Sequence, residues 1–376
     1  GVFSPCSERL NKNMKIVIMH QTITNHDAIG NDIEAMYQIF SKTFECSCYA
    51  QNQFNTAVTY IDEEELRQYL SDSENLVIYH HSVYWEQGEK ILESCKCKIL
   101  FRYHNITPPS FFENYNEHHF LQCDRGRKQT LRFQEKYKDA FWLSASVYNT
   151  LDLNNVSQSK IGICPPFHKI ESWGKSAPDE AILQDLLTNK TLNLLFVGRV
   201  APNKGHLFLI DALYKYCINW GSNIKLRIIG KFDDSLLKYN QEIQECIRGY
   251  GLNNNVEFIG EITDATLISY YLGSDIFVCA SEHEGFCVPI VEAQYFQLPI
   301  IALSSTAVTE TLGSNQILMH RDTKKFASAI SVIEKNLEYR DFLRKNGKRN
   351  FDTRFTFHNI EKNLKTIFNE RMEIKL

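Results

Sequence analysis

Leu192-Asn193-Leu194-Leu195-Phe196-Val197-Gly198 leads through a polar loop into His206–Trp220, and this pairing decides the fold. The first run is short, apolar and closed by glycine, which reads as a buried strand. His206–Trp220 is long enough for a helix and rich in apolar side chains. The rhythm continues with a strand over Asn223–Gly230, a helix over Lys238–Tyr250, and strands over Val256–Gly260, Asp275–Ser281 and Pro299–Leu303. Strands alternating with helices imply a parallel sheet covered on both faces.

The same rhythm lies upstream. Met14–His20 opens a first strand, and Asn31–Phe44 carries Ile33, Met36, Tyr37 and Phe40 as one face of a helix. Apolar runs over Leu76–His81, Lys98–His104, Ala140–Val147 and Ile161–Cys164 supply further strands. Pro165-Pro166 and the charged stretch His168–Asn189 interrupt the pattern as a hinge would. His358–Glu370 is a closing helix with Ile360, Leu364, Ile367 and Phe368 on one face. The expected plan is an α/β protein of two Rossmann-like domains facing a cleft. Its segments are a leader or an added remnant at 1–13, an N-terminal Rossmann-like domain at 14–167, a linker at 168–190, a C-terminal Rossmann-like domain at 191–354 and a tail helix at 355–376.

Composition narrows the classes. A chain of 376 residues suits two domains, and 43% hydrophobic residues are enough for two cores. A net charge of −4 argues against a nucleic-acid binder that needs a broad basic face. No apolar run approaches the roughly 18 residues of a membrane span, and no secretory h-region is evident at the N-terminus. Eleven cysteines scattered through strand- and helix-like segments fit reduced, buried thiols better than a disulfide framework. Cys46/Cys48 and Cys95/Cys97 could ligate metal, but their spacing also fits strand residues sharing a face, and no Cys/His quartet of zinc spacing accompanies them. The expectation is that no metal is bound.

In open α/β sheets ligands bind beyond the carboxyl ends of the strands, so the loops there matter most. Gly198-Arg199-Val200-Ala201-Pro202-Asn203-Lys204-Gly205 places two cations beside a helix N-terminus, an anion site unless both simply face water. Ser281-Glu282-His283-Glu284-Gly285-Phe286-Cys287-Val288-Pro289-Ile290-Val291-Glu292 follows a strand, with Pro289 expected to open a helix and Glu292 to sit in its first turn. Helix-dipole capping would account for Glu292, though not for Glu284-Gly285-Phe286. A phosphate with carboxylates nearby suits a ligand carrying both anionic oxygens and hydroxyls.

Glu-Gly-Phe-x-x-Pro-x-x-Glu over 284–292, preceded by Gly-Arg-x-x-x-x-Lys-Gly over 198–205, resembles the retaining GT-B glycosyltransferases of family 4 (glycosyltransferase group 1). The resemblance implies a hexosyltransferase in which Arg199 and Lys204 hold the donor diphosphate and stabilise the leaving group. Glu284 would contact the donor sugar, Glu292 the ribose, and the backbone at Gly285, Phe286, Cys287 and Val288 the phosphate. It further implies transfer with retention by front-face displacement, without divalent metal or other cofactor, from a UDP- or GDP-linked sugar. The acceptor would be a glycan or lipid-linked molecule of bacterial-type surface polysaccharide or lipopolysaccharide assembly. The tail helix would cross back onto the first domain.

In the N-terminal half, Asp27 and Gly30 occupy the first strand-to-helix loop, which similar enzymes use near the donor phosphate and acceptor. The absence of Gly-x-Gly-x-x-Gly there counts against a dinucleotide-binding dehydrogenase. His104 closes a strand, and the family often has a donor-contacting histidine there, so it joins Glu284, Arg199 and Lys204 as a catalytic candidate. His80 and His81 close another strand. Asp124–Lys138, with Arg125, Arg127 and Lys128, either receives an anionic acceptor, touches an acidic membrane surface, or is an exposed helix face. The expected location is cytoplasmic, with peripheral contact at the inner membrane face as an option. A nucleotide-sugar epimerase and a non-catalytic nucleotide-sugar-binding subunit are the rival readings.

Overall fold

The computed structural model describes residues 14–25 and 27–376, so the leader expected at 1–13 lies outside the described residues. The chain forms two units. The first takes in the residues through Pro108, Leu121–His168 and Phe357–Leu376; the second comprises Pro109–Phe120 and Lys169–Thr356.

Six parallel strands build the first sheet: β1 (Lys15–Ile23), β2 (Glu45–Gln53), β3 (Leu76–His81), β4 (Lys98–Tyr103), β5 (Phe141–Ser144) and β6 (Ile161–Ile163). Their order is β2-β1-β3-β4-β5-β6. Side chains alternate across the sheet, so β1 serves two cores. Ile16 and Ile18 join Ile33, Met36 and Phe40 of the helix Ala28–Phe40, whereas Val17 and Met19 join Tyr79, Phe101, Trp142 and Phe133 on the opposite face. The helix Phe357–Arg371 completes the first of these cores with Ile360, Leu364, Ile367 and Phe368, and Phe368 packs 5.1 Å from Phe40 between ring centroids.

The second sheet holds β7 (Leu192–Val197), β8 (Ile224–Ile229), β9 (Val256–Gly260), β10 (Ile276–Cys279), β11 (Ile300–Leu303) and β12 (Ile317–Met319), again all parallel. Its order, β12-β11-β10-β7-β8-β9, reverses direction between β7 and β10. That reversal opens a crevice at the carboxyl ends of these two strands. The segment Pro109–Phe120 belongs to this unit, tied by Tyr115 Oη to Glu242 at 2.8 Å and by Asn116 Nδ2 to the Ser235 carbonyl at 2.8 Å.

Two edge strands escape the sequence reading. The outer half of β2 is exposed and polar, and β12 is only three residues long. The first helix starts at Ala28 rather than Asn31 because Asp27 caps it, accepting from the Gly30 N–H at 2.6 Å. The interrupting stretch after Pro166 is itself ordered. It carries helices at Ile170–Trp173 and Glu180–Thr188, the latter capped by Asp179, whose backbone N–H donates to Ala265. The ten described cysteines are free thiols. Cys46 and Cys48 share one buried face of β2, and Cys95 Sγ lies 3.2 Å from Cys97 Sγ.

Candidate functional site

In the second unit, the two loops singled out above meet at the β7/β10 crevice. Gly205 adopts φ +73°, and a Cβ there would stand 2.1 Å from the Ala280 carbonyl oxygen, so only glycine permits this approach. Asn203 locks the loops together: its backbone carbonyl accepts from the Glu282 N–H at 2.8 Å, and its side-chain amide donates to the His283 carbonyl at 3.2 Å. Lys204 and Glu284, 80 residues apart, thereby form an ion pair at 2.5 Å with side chains only 17% and 13% exposed. Burial alone would lower the Lys204 pKa, but the charge and hydrogen bond of Glu284 offset it and the ammonium is held above its ordinary value. Arg199 is exposed on the same loop and lies close enough to oppose the Lys204 charge.

The Glu284 loop is fixed from beneath. The Glu284 N–H donates to Thr306 Oγ1 at 2.9 Å, and Thr311 Oγ1 donates to the Phe286 carbonyl at 2.5 Å. Phe286 is buried against Phe355, while Gly285 and Val288 are half-buried. Cys287 caps the helix Val288–Tyr295 in the left-handed region at φ +76°, a strained conformation for a non-glycine residue. In the first turn of that helix Pro289 has no N–H and the Ile290 N–H donates to the Cys287 carbonyl at 3.2 Å, which leaves the Val288 N–H as the helix-start donor that can receive an anion.

Pro289 is the second helical residue, not the first, and Glu292 therefore lies beyond the first turn. There the Glu292 carboxylate accepts from Tyr271 Oη at 2.5 Å. Burial pushes its pKa up to about 7, against the opposing effect of the tyrosine hydrogen bond. The helix dipole is thus not what fixes this acid, since the helix start lies a turn away.

The first unit gathers a different set at the carboxyl ends of β1, β3 and β4. Asp32, fully buried, accepts from Arg102 Nε at 2.8 Å, from Arg102 Nη2 at 3.3 Å and from the Phe167 N–H at 2.8 Å. His104 Nε2 lies 3.6 Å from Asp32 Oδ2 and 2.9 Å from His80 Nδ1, with the two imidazoles stacked 5.1 Å apart. His20 Nδ1 donates to the His80 carbonyl at 2.9 Å. Burial, reinforced by Arg102, holds His80 and His104 well below the usual histidine range, so both are neutral at pH 7. Asp32, His80 and His104 have the spacing of a metal-ligand trio. Each Asp32 oxygen nevertheless already accepts a hydrogen bond, and the Arg102 charge opposes a cation there. Sequence reasoning missed Asp32 and Arg102. An acid on the first helix and an arginine in a buried strand, 70 positions apart, give no local signal.

His81 turns instead to the opposite face and meets Thr130 Oγ1 at 2.8 Å. Gly30, Asp27, Arg127 and Lys128 each make a structural contact within the first unit. A Cβ at Gly30 would stand 2.0 Å from the Thr24 carbonyl oxygen, so this glycine serves the tight turn into the helix rather than the approach of a ligand. The Asp27 carboxylate caps that helix and also accepts from Thr24 Oγ1 at 2.8 Å. Arg127 bridges Asp152 at 2.9 Å and the Ile106 carbonyl at 2.8 Å, and Lys128 pairs with Asp124 one helical turn away. Arg125 is exposed with its guanidinium 6.0 Å from the Tyr84 ring. The basic stretch is largely a helix face laced with ion pairs.

Residues 179–350 match the family model described as glycosyl transferases group 1. That matched stretch lies within the second unit. The capsular polysaccharide biosynthesis glycosyltransferase CapM of Staphylococcus aureus is 27% identical over 186 residues, 49% of this chain and 47% of CapM. The lipopolysaccharide core biosynthesis mannosyltransferase LpsB of Rhizobium meliloti is 27% identical over 195 residues, 50% of this chain and 51% of LpsB. The chain thus spans about half the length of the curated relatives it matches. Among solved structures, Anabaena HepE in complex with UDP and glucose superimposes with TM-score 0.75 at 14% identity, covering 95% of this chain and 100% of that one. WaaG, a glycosyltransferase involved in lipopolysaccharide biosynthesis, does so with TM-score 0.70 at 12% identity over 92% and 98%. The fold is the GT-B fold. No helix among the described residues is long and apolar enough to cross a membrane.

Proposed function

We propose that the protein transfers a hexosyl unit from a UDP- or GDP-linked donor to a glycan or lipid-linked acceptor, with retention of configuration and without a metal ion or other cofactor. The observation that carries this reading is the Lys204–Glu284 pair, poised beside the helix start at Val288 in the β7/β10 crevice. It offers a cation and the helix-start amide of Val288 to a diphosphate, and a carboxylate to sugar hydroxyls. The names of CapM and LpsB support a place in surface polysaccharide or lipopolysaccharide assembly. The HepE complex with UDP-glucose supports a nucleotide-sugar donor.

In the reaction, the bond between the anomeric carbon and the diphosphate oxygen breaks, and the acceptor oxygen bonds to that carbon on the same face. The acceptor proton passes to the departing diphosphate. Lys204 and Arg199 stabilise the charge that develops on the leaving group, a task suited to fixed cations. Glu284 orients the sugar.

The test is donor turnover with UDP- and GDP-sugars against a mixed glycan and lipid-linked acceptor pool, with product anomers assigned by NMR. Turnover that persists in EDTA, gives the donor's anomeric configuration and falls tenfold or more in Glu284→Gln supports the reading. Sugar interconversion without acceptor points to an epimerase. Nucleotide binding with no turnover points to a binding subunit.

A further inference from the structure

The second sheet has a second concavity at its other end. A cavity of about 560 Å3 opens at the amino ends of β7, β8 and β10, the edge away from Lys204 and Glu284. Its size lies within the range of small-molecule sites, about 300–1,000 Å3. The wall is built from unlike parts. Tyr216 and Trp220, from the last turns of the helix His206–Trp220, present two rings 5.5 Å apart. Two carboxylates, Asp275 and Glu334, and the side chains of Asn189 and Asn223 supply polar groups beside them.

Each carboxylate is anchored yet keeps accepting capacity. One Asp275 oxygen accepts from the Asn193 N–H at 2.8 Å, and the other stands 3.9 Å from Arg340, beyond hydrogen-bond range. One Glu334 oxygen accepts from Tyr216 Oη at 2.6 Å, which fixes both side chains. Anchored acceptors next to an aromatic face suit a ligand that is rich in hydroxyl donors and has an apolar C–H face. Two carboxylates repel phosphates and anionic lipid, and Lys190 on the rim opposes a simple cation.

We infer that this cavity binds a neutral saccharide, its ring against Trp220 and its hydroxyls on Asp275 and Glu334, at a site separate from the β7/β10 crevice. Such a site would hold a glycan chain to the protein through a second contact and raise its effective concentration. The inference stands whether or not the donor-site reading holds, because it uses none of the same residues.

Trp220 supplies the readout. Of the four tryptophans, Trp85, Trp142 and Trp173 are buried, whereas Trp220 is 38% exposed. The full chain is titrated with neutral methyl glycosides and short oligosaccharides of glucose, galactose, mannose and N-acetylglucosamine, following tryptophan fluorescence and saturation-transfer NMR. At least one probe should bind with a dissociation constant of about 10 mM or tighter, equally well with and without saturating UDP. Trp220→Leu should abolish the fluorescence change and, with Glu334→Gln, weaken NMR-detected binding tenfold or more. The inference is overturned if no probe binds, if UDP displaces the saccharide, or if both variants bind as the native chain does. A Trp220 response to phosphatidylcholine vesicles but to no saccharide would overturn it in favour of a lipid surface.

Discussion

Breaking the Lys204–Glu284 pair from either side should have opposite consequences for a nucleotide. At 2.5 Å, with side chains 17% and 13% exposed, the pair falls between two regimes. Exposed pairs contribute about 0–1 kcal/mol, and removing one partner of a fully buried pair costs about 3–5 kcal/mol. Slight exposure places Lys204→Met or Glu284→Gln at about 1–3 kcal/mol each, with a coupling energy of about 1 kcal/mol or more in the double variant. At about 2–4 °C per kcal/mol for a unit of this size, each single change should lower the melting midpoint of the second unit visibly in calorimetry. Nucleotide affinity then separates the two residues. Lys204→Met removes a charge-assisted contact to the diphosphate and should weaken UDP or GDP binding by about 1.5–3 kcal/mol. Glu284→Gln frees Lys204 from its intramolecular partner, so nucleoside diphosphate affinity should hold or rise while sugar transfer falls. Isothermal titration of both variants decides it. If Glu284→Gln weakens the free nucleoside diphosphate tenfold and Lys204→Met leaves it unchanged, the division of labour drawn here is refuted. An additive thermal cycle would show that the two side chains are not coupled.

Gly205→Ala puts a Cβ against the Ala280 carbonyl at φ +73°, so it should lower the second unit's melting midpoint and weaken nucleotide binding, both read in one thermal-shift series with UDP. Asp32→Asn leaves the buried Arg102 charge without its counter-ion and should cost about 3–5 kcal/mol in the first unit, measured as a drop in that unit's calorimetric transition; an unchanged transition would contradict the network described. Glu292 has a folded pKa raised by burial to about 7, so its contribution favours folding at low pH and is lost as pH rises from the ordinary carboxylate range through about 7. Glu292→Gln should therefore raise the melting midpoint relative to the native protein more at pH 8 than at pH 5, and an equal offset at both values would count against that burial.

The local code was legible wherever a single stretch carried its own signal. The run Leu192–Val197, its glycine and the helix His206–Trp220 marked a strand-loop-helix unit, because a strand buried on both faces must be continuously apolar. The motifs at 198–205 and 284–292 could likewise be read as neighbours of strand ends. What the sequence could not supply was pairing at a distance. The 2.5 Å approach of Lys204 to Glu284 depends on β7 and β10 lying side by side, which the strand order alone decides. Edge strands β2 and β12 hid because one exposed side relaxes the demand for apolar residues. Asp27 and Arg127 illustrate the converse, since a charge in a suggestive loop or basic stretch says nothing of the amide or carboxylate that folding brings to it. Composition and periodicity determined which segments had to be buried; only the tertiary structure decided which polar groups were left to meet a ligand, because hydrogen-bond partners are fixed by position in space and not by distance along the chain.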